Sequence, residues 1–448
     1  MPRSGRRLLR SGKFQHGGDA RCASEAEAEY HEAVKYTDVF VPGGFPRHTY
    51  NPRVDLRLES SLQQAKENLC KLVVVTGHTK SGKTVLTRSV FPPQDTIWID
   101  GGSVGAEDDF WTNILDQLEL FQGETDQEQD SSTTTIGTQA SAEGGVIIAK
   151  AAGSVSASNA TARGRVRSRT RQVSPKVAAL KGLATTRTPI IVDDFHYLPK
   201  DMQGKIVRAL KPLIFDGLPA IIIAIPHRRY DAMKVEREMT GRISSIEIPA
   251  WTDDELQFIP SKGFKLLGAE LADGVTGKLA REAIGSPHLV QDFCRTLCSI
   301  HGIAGGGAIQ NLSEDQIKAV FADVANTIGR PIFEKLARGP RQRTDRVERT
   351  LHNGSKVDIY QLVLHALAHL RPGLISLEYE DLRTAIREVS ATAIPQLHEV
   401  ARVLKHMATI ASTDQSSTPV IDFEEHEKKL HITDPFFAFY LRWGDLSA

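Results

Sequence analysis

Residues 72–84 read Leu72-Val73-Val74-Val75-Thr76-Gly77-His78-Thr79-Lys80-Ser81-Gly82-Lys83-Thr84. The aliphatic run predicts a buried β-strand, which leads directly into a loop with a glycine near each end. Glycines let backbone amides close around phosphate oxygens, and the helix predicted from Thr84 onward adds its positive end. Lys83, expected to be an exposed charge on the loop, would contact the β- and γ-phosphates, and the Thr84 hydroxyl would ligate magnesium. The stretch therefore predicts a phosphate-binding loop between a strand and a helix.

This spacing of glycine, lysine and threonine is the pattern of the P-loop, so we interpret the chain as an ATP-binding P-loop NTPase. Its predicted cofactors are ATP and Mg²⁺. The loop residues predicted to bind the nucleotide are Gly77, His78, Thr79, Lys80, Ser81, Gly82, Lys83 and Thr84.

Further apolar runs of strand length follow the loop, at residues 97–100, 189–192 and 220–225. Stretches with helical spacing of apolar residues separate these runs. Strands that alternate with helices predict a parallel sheet with helices on both faces. The predicted fold class is α/β: a five-stranded parallel-sheet nucleotide domain, a helical lid and a C-terminal winged helix.

Two acids follow the run at 189–192. Asp193 is the second predicted magnesium ligand, because a carboxylate at the carboxyl end of a strand can reach a metal beside the phosphate loop. Asp194 is predicted to polarise or position the attacking water; alternatively, both acids merely end a strand. The run at 220–225 leads to Arg228 at the same sheet edge, where a guanidinium would read the γ-phosphate. A solvated basic turn is the alternative for Arg228.

The length and composition of the chain limit the classes of protein to which it can belong. The chain has 448 residues, more than the roughly 250–300 at which one hydrophobic core stops growing, so two or three domains are expected. Lysine plus arginine and aspartate plus glutamate both number 55, so no overall field attracts nucleic acid or anionic lipid. The apolar runs fall far short of the roughly 18 residues of a membrane span. Four scattered cysteines fit a reducing, cytoplasmic setting.

The order of the segments predicts four regions. Residues 1–38 form a basic and polar tail, and 39–250 form the nucleotide-binding domain, with a low-complexity insertion at about 122–176. Residues 251–335 form the helical lid. Residues 336–448 hold an arginine-rich connector and three helix-like stretches followed by a hairpin, which is the order of a winged helix.

Two arginine-rich stretches leave alternatives open. The first has arginine at every second position from Arg163 to Arg171, which a strand would align on one face, but we interpret it as a soluble linker. A hairpin around residues 146–155 is also possible in the insertion. The second stretch, from Arg338 to Arg349, leads into the winged helix, a domain that can place a helix in the DNA major groove. Whether this stretch meets DNA or packs against protein stays open.

In the order of its motifs, the chain resembles the STAND and AAA+ branch of ATPases, near the archaeal-type ATPases and the origin-recognition-type initiators. Besides the phosphate loop and paired acids, the resemblance rests on Gly285-Ser286-Pro287 and on the closing Asp434-Pro435-Phe436-Phe437-Ala438-Phe439-Tyr440. It implies that Arg53 packs under adenine, that Pro287 touches the base and that Arg228 senses phosphate. Arg242 lies where AAA+ members place an inter-subunit arginine, although a buried structural ion pair is the alternative. Many AAA+ members have glutamate in place of Asp194.

The candidate catalytic residues are thus Asp194, Arg228 and Arg242. The function we expect is an ATP-hydrolysing molecular switch that couples nucleotide state to an effector protein or to other copies of the chain. One alternative is a DNA-engaging AAA+ ATPase that uses the winged helix. The other is a scaffold that binds ATP without hydrolysing it.

Overall fold

The computed structural model describes residues 34–67, 69–120, 123–132, 163–225, 241–303, 313–340, 346–374, 376–412 and 419–446. The amino-terminal half of this part contains a parallel sheet and its helices. The carboxyl-terminal half contains a helical lid and a winged helix.

The nucleotide domain is built on a five-stranded sheet in which every neighbouring pair is parallel. The strands of this half are β1 (Leu72–Gly77), β2 (Ile97–Asp100), β3 (Gly123–Ser132), β4 (Arg163–Gln172), β5 (Ile190–Asp193), β6 (Ala220–Ala224) and β7 (Ile243–Ile248). The order across the sheet is β2-β5-β6-β1-β7. Because all five strands point the same way, β1, β2 and β5 end at one edge, where the predicted phosphate loop and acids follow them. The predicted sheet is confirmed.

Helices cover both faces of the sheet because strand residues alternate between the faces. The helices of this half are α1 (Tyr36–Val39), α2 (Leu58–Gln63), α3 (Lys83–Val90), α4 (Glu107–Gln117), α5 (Pro175–Thr186) and α6 (Lys200–Phe215). Leu72 and Val74 of β1 share one hydrophobic core with residues of α4, α5 and α6. Val73 and Val75 pack on the other face, against α2 and α3. Strands buried on both faces need continuous aliphatic runs, which is what the sequence provides.

The lid and the winged helix make up the carboxyl-terminal half of the described residues. Their helices are α7 (Asp253–Leu266), α8 (Val275–Glu282), α9 (Pro287–Ile300), α10 (Glu314–Ile328), α11 (Arg330–Arg338), α12 (Ile359–His369), α13 (Tyr379–Val389), α14 (Leu397–Ser412) and α15 (Pro435–Trp443). Their strands are β8 (Arg349–Thr350), β9 (Lys356–Val357), β10 (Ser376–Glu378), β11 (Ile421–Glu424) and β12 (Lys429–Ile432). The run α12-β10-α13-α14-β11-β12, with an antiparallel β10-β12-β11 sheet, is the predicted winged helix.

The last helix, α15, joins the winged helix to the lid. Its Phe439 ring lies 4.9 Å from the ring of Phe293 in α9 and 5.9 Å from that of Phe321 in α10. Tyr440 packs 5.0 Å from Phe333 of α11. All these residues belong to one hydrophobic core that runs through both regions. The boundary expected near residue 335 therefore does not separate two cores, and we treat the lid and winged helix as one body.

The insertion differs from its expected form. β3 and β4 pair as an antiparallel ribbon, so the interpretation of residues 163–171 as a linker is wrong. In the register of this ribbon, Glu124 lies opposite Arg171 and Asp126 lies opposite Arg169. The hairpin considered around residues 146–155 and the tail up to residue 33 lie outside the described residues. Within the described ranges, no helix is both long and apolar enough to cross a membrane.

Candidate nucleotide-binding site

A cavity of about 380 Å³ lies at the carboxyl edge of the sheet. Its walls come from the phosphate loop, from the start of lid helix α9 and from the N-terminal strap, which we define as residues 40–53. Among the predicted site residues, the cavity is lined by Arg53, Thr79, Lys80, Ser81, Gly82, Lys83, Thr84, Asp194 and Pro287. The fold thus brings residues from four distant parts of the chain to one opening.

The phosphate loop turns tightly between β1 and α3. Lys80 and Gly82 both have left-handed backbone angles, with φ of 60° and 90°, and the Ser81 amide donates to the His78 carbonyl at 3.2 Å. Glycine adopts the angle at position 82 without steric strain. Helix α3 then begins at Lys83, so its free amide groups and positive end face the cavity.

Lys83 is buried, which contradicts the expectation of an exposed charge. Its ammonium donates to the carbonyl oxygens of Gly77 at 3.0 Å and His78 at 2.8 Å. Burial lowers the pKa of Lys83 to about 8, against the opposing effect of the Asp194 and Asp193 charges. The cavity that Lys83 lines is also lined by residues of the strap and of α9, which local sequence does not reveal. The ammonium is held on loop carbonyls, at the place where phosphate oxygens would compete for it.

Thr84 and Asp193 meet as predicted. The Thr84 hydroxyl donates to Asp193 Oδ2 at 2.9 Å, and Asp193 Oδ1 accepts the amide of Asp194 at 3.0 Å. Burial raises the pKa of Asp193. Magnesium in nucleotide sites takes one or two protein oxygens and completes its shell with phosphates and water. A hydroxyl and a carboxylate in contact beside a phosphate loop fit that ion.

Asp194 faces the cavity from a left-handed turn, with φ of 48°. Burial, and then the charge of Asp193, raise the pKa of Asp194 to about 6. The turn is packed closely, because a Cβ on Gly101 would come within 2.5 Å of the Asp194 carbonyl oxygen. Asp100, opposite Asp193 in the register, is a third acid at this edge that sequence reasoning missed. Its position at the end of strand 97–100 was the available signal.

Arg53 is buried, and all three of its guanidinium nitrogens bond to protein groups. Its guanidinium forms two 2.8 Å bonds to the Glu255 carboxylate and donates at 3.0 Å to the carbonyls of Pro249 and Ala250. It also lies over the Trp251 ring, 4.6 Å from the centroid. Arg53 therefore ties the strap to the linker between β7 and the lid, a connection that the sequence did not predict.

The strap is also fixed to the lid by a buried amide. Gln291 of α9 donates to the Thr49 hydroxyl at 2.8 Å and accepts the Val41 amide at 3.0 Å. The Thr49 hydroxyl donates to the Val39 carbonyl at 3.1 Å. No local sequence pattern predicts this contact, because Gln291 and Thr49 are 242 residues apart.

The start of α15 packs against two residues that line the cavity. The Lys80 ammonium lies over the Phe436 ring, 5.3 Å from its centroid, and the His288 ring packs edge-on against Phe436 at 4.9 Å. Pro287, the first residue of α9, lines the cavity beside His288. Burial, together with the charge of Lys80, lowers the pKa of His288 to about 4, so its ring is neutral at physiological pH. Winged helix, lid and phosphate loop thus meet at Phe436.

Arg242, one of the other two candidate arginines, does not line this cavity. Arg228 lies outside the described residues. Arg242 is exposed at the amino end of β7, where its carbonyl accepts the amide of Leu72 at 2.9 Å and its guanidinium lies over Phe215. The alternative of a buried ion pair is therefore wrong. Because the phosphate loop lies at the opposite edge of the sheet, Arg242 cannot serve the site of its own chain.

A parallel sheet, a glycine loop that opens onto a helix start, and a threonine–aspartate contact beside it define the P-loop nucleotide-binding class of fold. No family model matches the chain, and no curated protein matches its sequence.

Solved structures do match. The Cdc6 protein of Pyrobaculum aerophilum is 12% identical, with 91% of this chain and 97% of that chain covered and a TM-score of 0.41. A Walker-type ATPase of Pyrococcus abyssi is 15% identical, with 86% and 94% covered and a TM-score of 0.47. The ORC1 protein of Aeropyrum pernix, solved with DNA, is 11% identical, with 91% and 95% covered and a TM-score of 0.43. The matches concern the fold, and the chemistry of the site follows from its own residues.

Proposed function

We propose that the protein is a magnesium-dependent ATPase that works as a conformational switch, in which the bound nucleotide sets the position of the lid and winged helix. One observation supports the proposal: the cavity at the phosphate loop is lined by the strap and by α9, and its lining residues Lys80 and His288 both contact Phe436 of α15. A nucleotide in this cavity would touch both halves of the protein.

Each residue has a part in binding. The free amides at the start of α3 would receive phosphate oxygens, and Lys83 would exchange the carbonyls of Gly77 and His78 for them. Thr84 and Asp193 would hold Mg²⁺, which neutralises charge on the phosphates. All three guanidinium nitrogens of Arg53 already have partners, so a base would meet its flat face. Pro287 lines the cavity at the lid.

Hydrolysis would depend on Asp194. Its carboxylate lies at the cavity beside the Thr84–Asp193 pair and can hold a water molecule for attack on the γ-phosphate. Arg242, which is exposed on the far edge of the sheet, would act only on the site of a neighbouring copy. That role, and phosphate sensing by Arg228, belong to the same proposal.

The switch would move the lid and winged helix together, because one hydrophobic core joins them through α15. This body meets the phosphate loop at Phe436, under the Lys80 ammonium. A triphosphate would draw that ammonium toward itself and weaken the contact. Loss of the contact would free the combined body to turn about the linker at residues 249–252.

We expect steady-state release of phosphate from ATP that requires Mg²⁺, and hydrogen-exchange protection of the strap and the start of α15 that differs between ATP and ADP. Phosphate assays and hydrogen-exchange mass spectrometry of the full chain measure the two effects. Identical exchange in ATP and ADP would contradict the switch. Protection by ATP without phosphate release would favour the scaffold, and no response to either nucleotide would remove the site.

The winged helix makes DNA the second candidate partner, but the charged residues of this domain argue against DNA binding. Lys405 on α14, the helix expected in a major groove, is 2.9 Å from Glu425 of the wing. Arg349 lies 4.0 Å from Glu399 of the same helix. Arg346 pairs with Asp358 and donates to the carbonyls of Arg338 and Pro340 at 2.9 and 2.7 Å. Arg346 and Arg349 of the connector therefore contact protein groups, while Arg341 and Arg343 lie outside the described residues.

We expect Arg346→Ala to lower the melting temperature and leave duplex DNA retention weak, because its charged hydrogen bonds contribute about 1.5–3 kcal/mol each when intact. Arg402→Ala, on the exposed face of α14, is the matched control and should change neither property. Thermal unfolding and a salt titration of DNA binding measure these effects. A wild-type slope of about −3 or steeper in log affinity against log salt, flattened in either variant, would promote the DNA-engaging alternative.

A further inference from the structure

Trp251 connects the phosphate loop to the lid. It lies in the linker between β7 and α7, and its indole N–H donates to the carbonyl of Ser81 at 2.8 Å. The ring carries the Arg53 guanidinium at 4.6 Å, and Arg53 is bonded to Glu255 in the first turn of α7. One side chain thus touches the loop, the strap and the lid linker.

The bond to Ser81 controls one amide of the loop. In a trans peptide the carbonyl and the next N–H point in opposite directions, so fixing the Ser81 carbonyl also fixes the Gly82 N–H. Gly82 has φ of 90° and precedes the free amides at the start of α3. Glycine populates positive and negative φ about equally, so this peptide can turn over unless something holds it. A reversed peptide would present a carbonyl oxygen to the phosphates instead of a donor.

We propose that Trp251 is a positioning residue for nucleoside di- and triphosphates: its indole N–H holds the Ser81–Gly82 peptide with the Gly82 amide toward the β-phosphate. Because Trp251 belongs to the linker, the position of the lid and the affinity for phosphate depend on each other. This inference rests on the proposed nucleotide site and assigns Trp251 a role within that site.

Two substitutions distinguish the effect of the indole N–H from the effect of the size of the ring. Trp251→Phe keeps an aromatic face for Arg53 and removes the donor. Trp251→His loses more packing but retains a donor, because its Nε2 can occupy the place of the indole nitrogen. Trp443→Phe is the matched control, since that indole donates to Glu282 at 2.7 Å, away from the cavity.

We expect Trp251→Phe to weaken ATP and ADP binding about tenfold, the effect of one hydrogen bond of about 1.4 kcal/mol, and AMP binding less than about twofold. Trp251→His, measured at pH 8 where its ring is neutral, should bind ATP better than Trp251→Phe despite its smaller size. Trp443→Phe should match the wild type. Calorimetric titration with the three nucleotides, after thermal unfolding of each variant, measures this.

Several results would overturn the inference. Equal losses for ATP, ADP and AMP in Trp251→Phe would mean that the ring only packs the cavity wall, as would a histidine variant weaker than the phenylalanine variant. Unchanged ATP affinity would mean that the bond has no role in binding, and failure of both variants to fold would assign Trp251 to folding. Failure of the wild type to bind ATP would instead refute the nucleotide site itself.

Discussion

Lys83→Ala should weaken binding of magnesium ATP by at least about 100-fold while the protein stays folded. The ammonium would make two charge-assisted hydrogen bonds to phosphate oxygens, each contributing about 1.5–3 kcal/mol, and alanine offers none. Titration of a fluorescent ATP analogue measures the loss. Unchanged affinity in a folded variant would mean that the glycine loop does not bind the nucleotide.

The fold should survive this change even though Lys83 is buried. Burial lowers the pKa of Lys83 to about 8, below its ordinary value, so the charged form is disfavoured in the folded protein at neutral pH. Stability linked to a lowered lysine pKa is gained only as the pH rises through about 8, where the folded form releases its proton first. At pH 7 the substitution therefore removes a charge that burial opposes, and it leaves the carbonyls of Gly77 and His78 beside a cavity that water can enter.

Lys80→Ala is the matched control for Lys83→Ala because both lysines belong to the same loop. The Lys80 ammonium lies over Phe436 rather than on the loop carbonyls. We expect Lys80→Ala to change the hydrogen-exchange protection of α15. We expect it to lower the affinity for ATP less than Lys83→Ala does. Equal losses of ATP affinity in both variants would indicate a nonspecific effect of charge on the loop.

The sequence predicted the parts of the site that local rules govern. Apolar runs identified β1 and β5, and the parallel arrangement then required Thr84 and Asp193 to lie at one edge, where they form a hydrogen bond of 2.9 Å. The winged helix could be predicted because three helices and a hairpin occur in a fixed order. These inferences needed only the period of the pattern and the direction of the strands.

Contacts between distant segments could not be predicted in this way. Trp251 and Ser81 are 170 residues apart, and nothing in either neighbourhood indicates the other. Lys83 is buried in a cavity that distant residues of the strap and of α9 also line. For α15 a signal did exist: Phe436-Phe437-Ala438-Phe439-Tyr440 is apolar on all sides, which is typical of a helix buried between other elements. That pattern indicated a helix packed against more than its own domain.

Asp193→Asn and Asp194→Asn should each slow hydrolysis about 10²–10³-fold, with a much smaller effect on ATP binding. Asp193 would lose the carboxylate that contacts the Thr84 hydroxyl beside the phosphates. Asp194 would lose the base that positions water. Single-turnover kinetics with magnesium ATP measure both rates. Asp100→Asn is the control at the same edge, because the Asp100 side chain accepts the Gly102 amide at 2.8 Å, and it should retain most activity.

The pH profile distinguishes the two acids. Burial and the neighbouring charge of Asp193 raise the pKa of Asp194 to about 6 in the free protein. A base must be ionised to act, so kcat/KM, which reports the free enzyme, should rise with pH through about 6 and level off above it. Asp194→Asn should remove this inflection from the residual rate. An inflection that survives in Asp194→Asn, or wild-type single-turnover rates in both variants, would mean that these acids do not serve the phosphate site. If the inflection near pH 6 is lost only in Asp194→Asn, Asp194 is the base. Asp193→Asn would then lower the rate through the loss of a magnesium ligand, and its pH profile would still show an inflection.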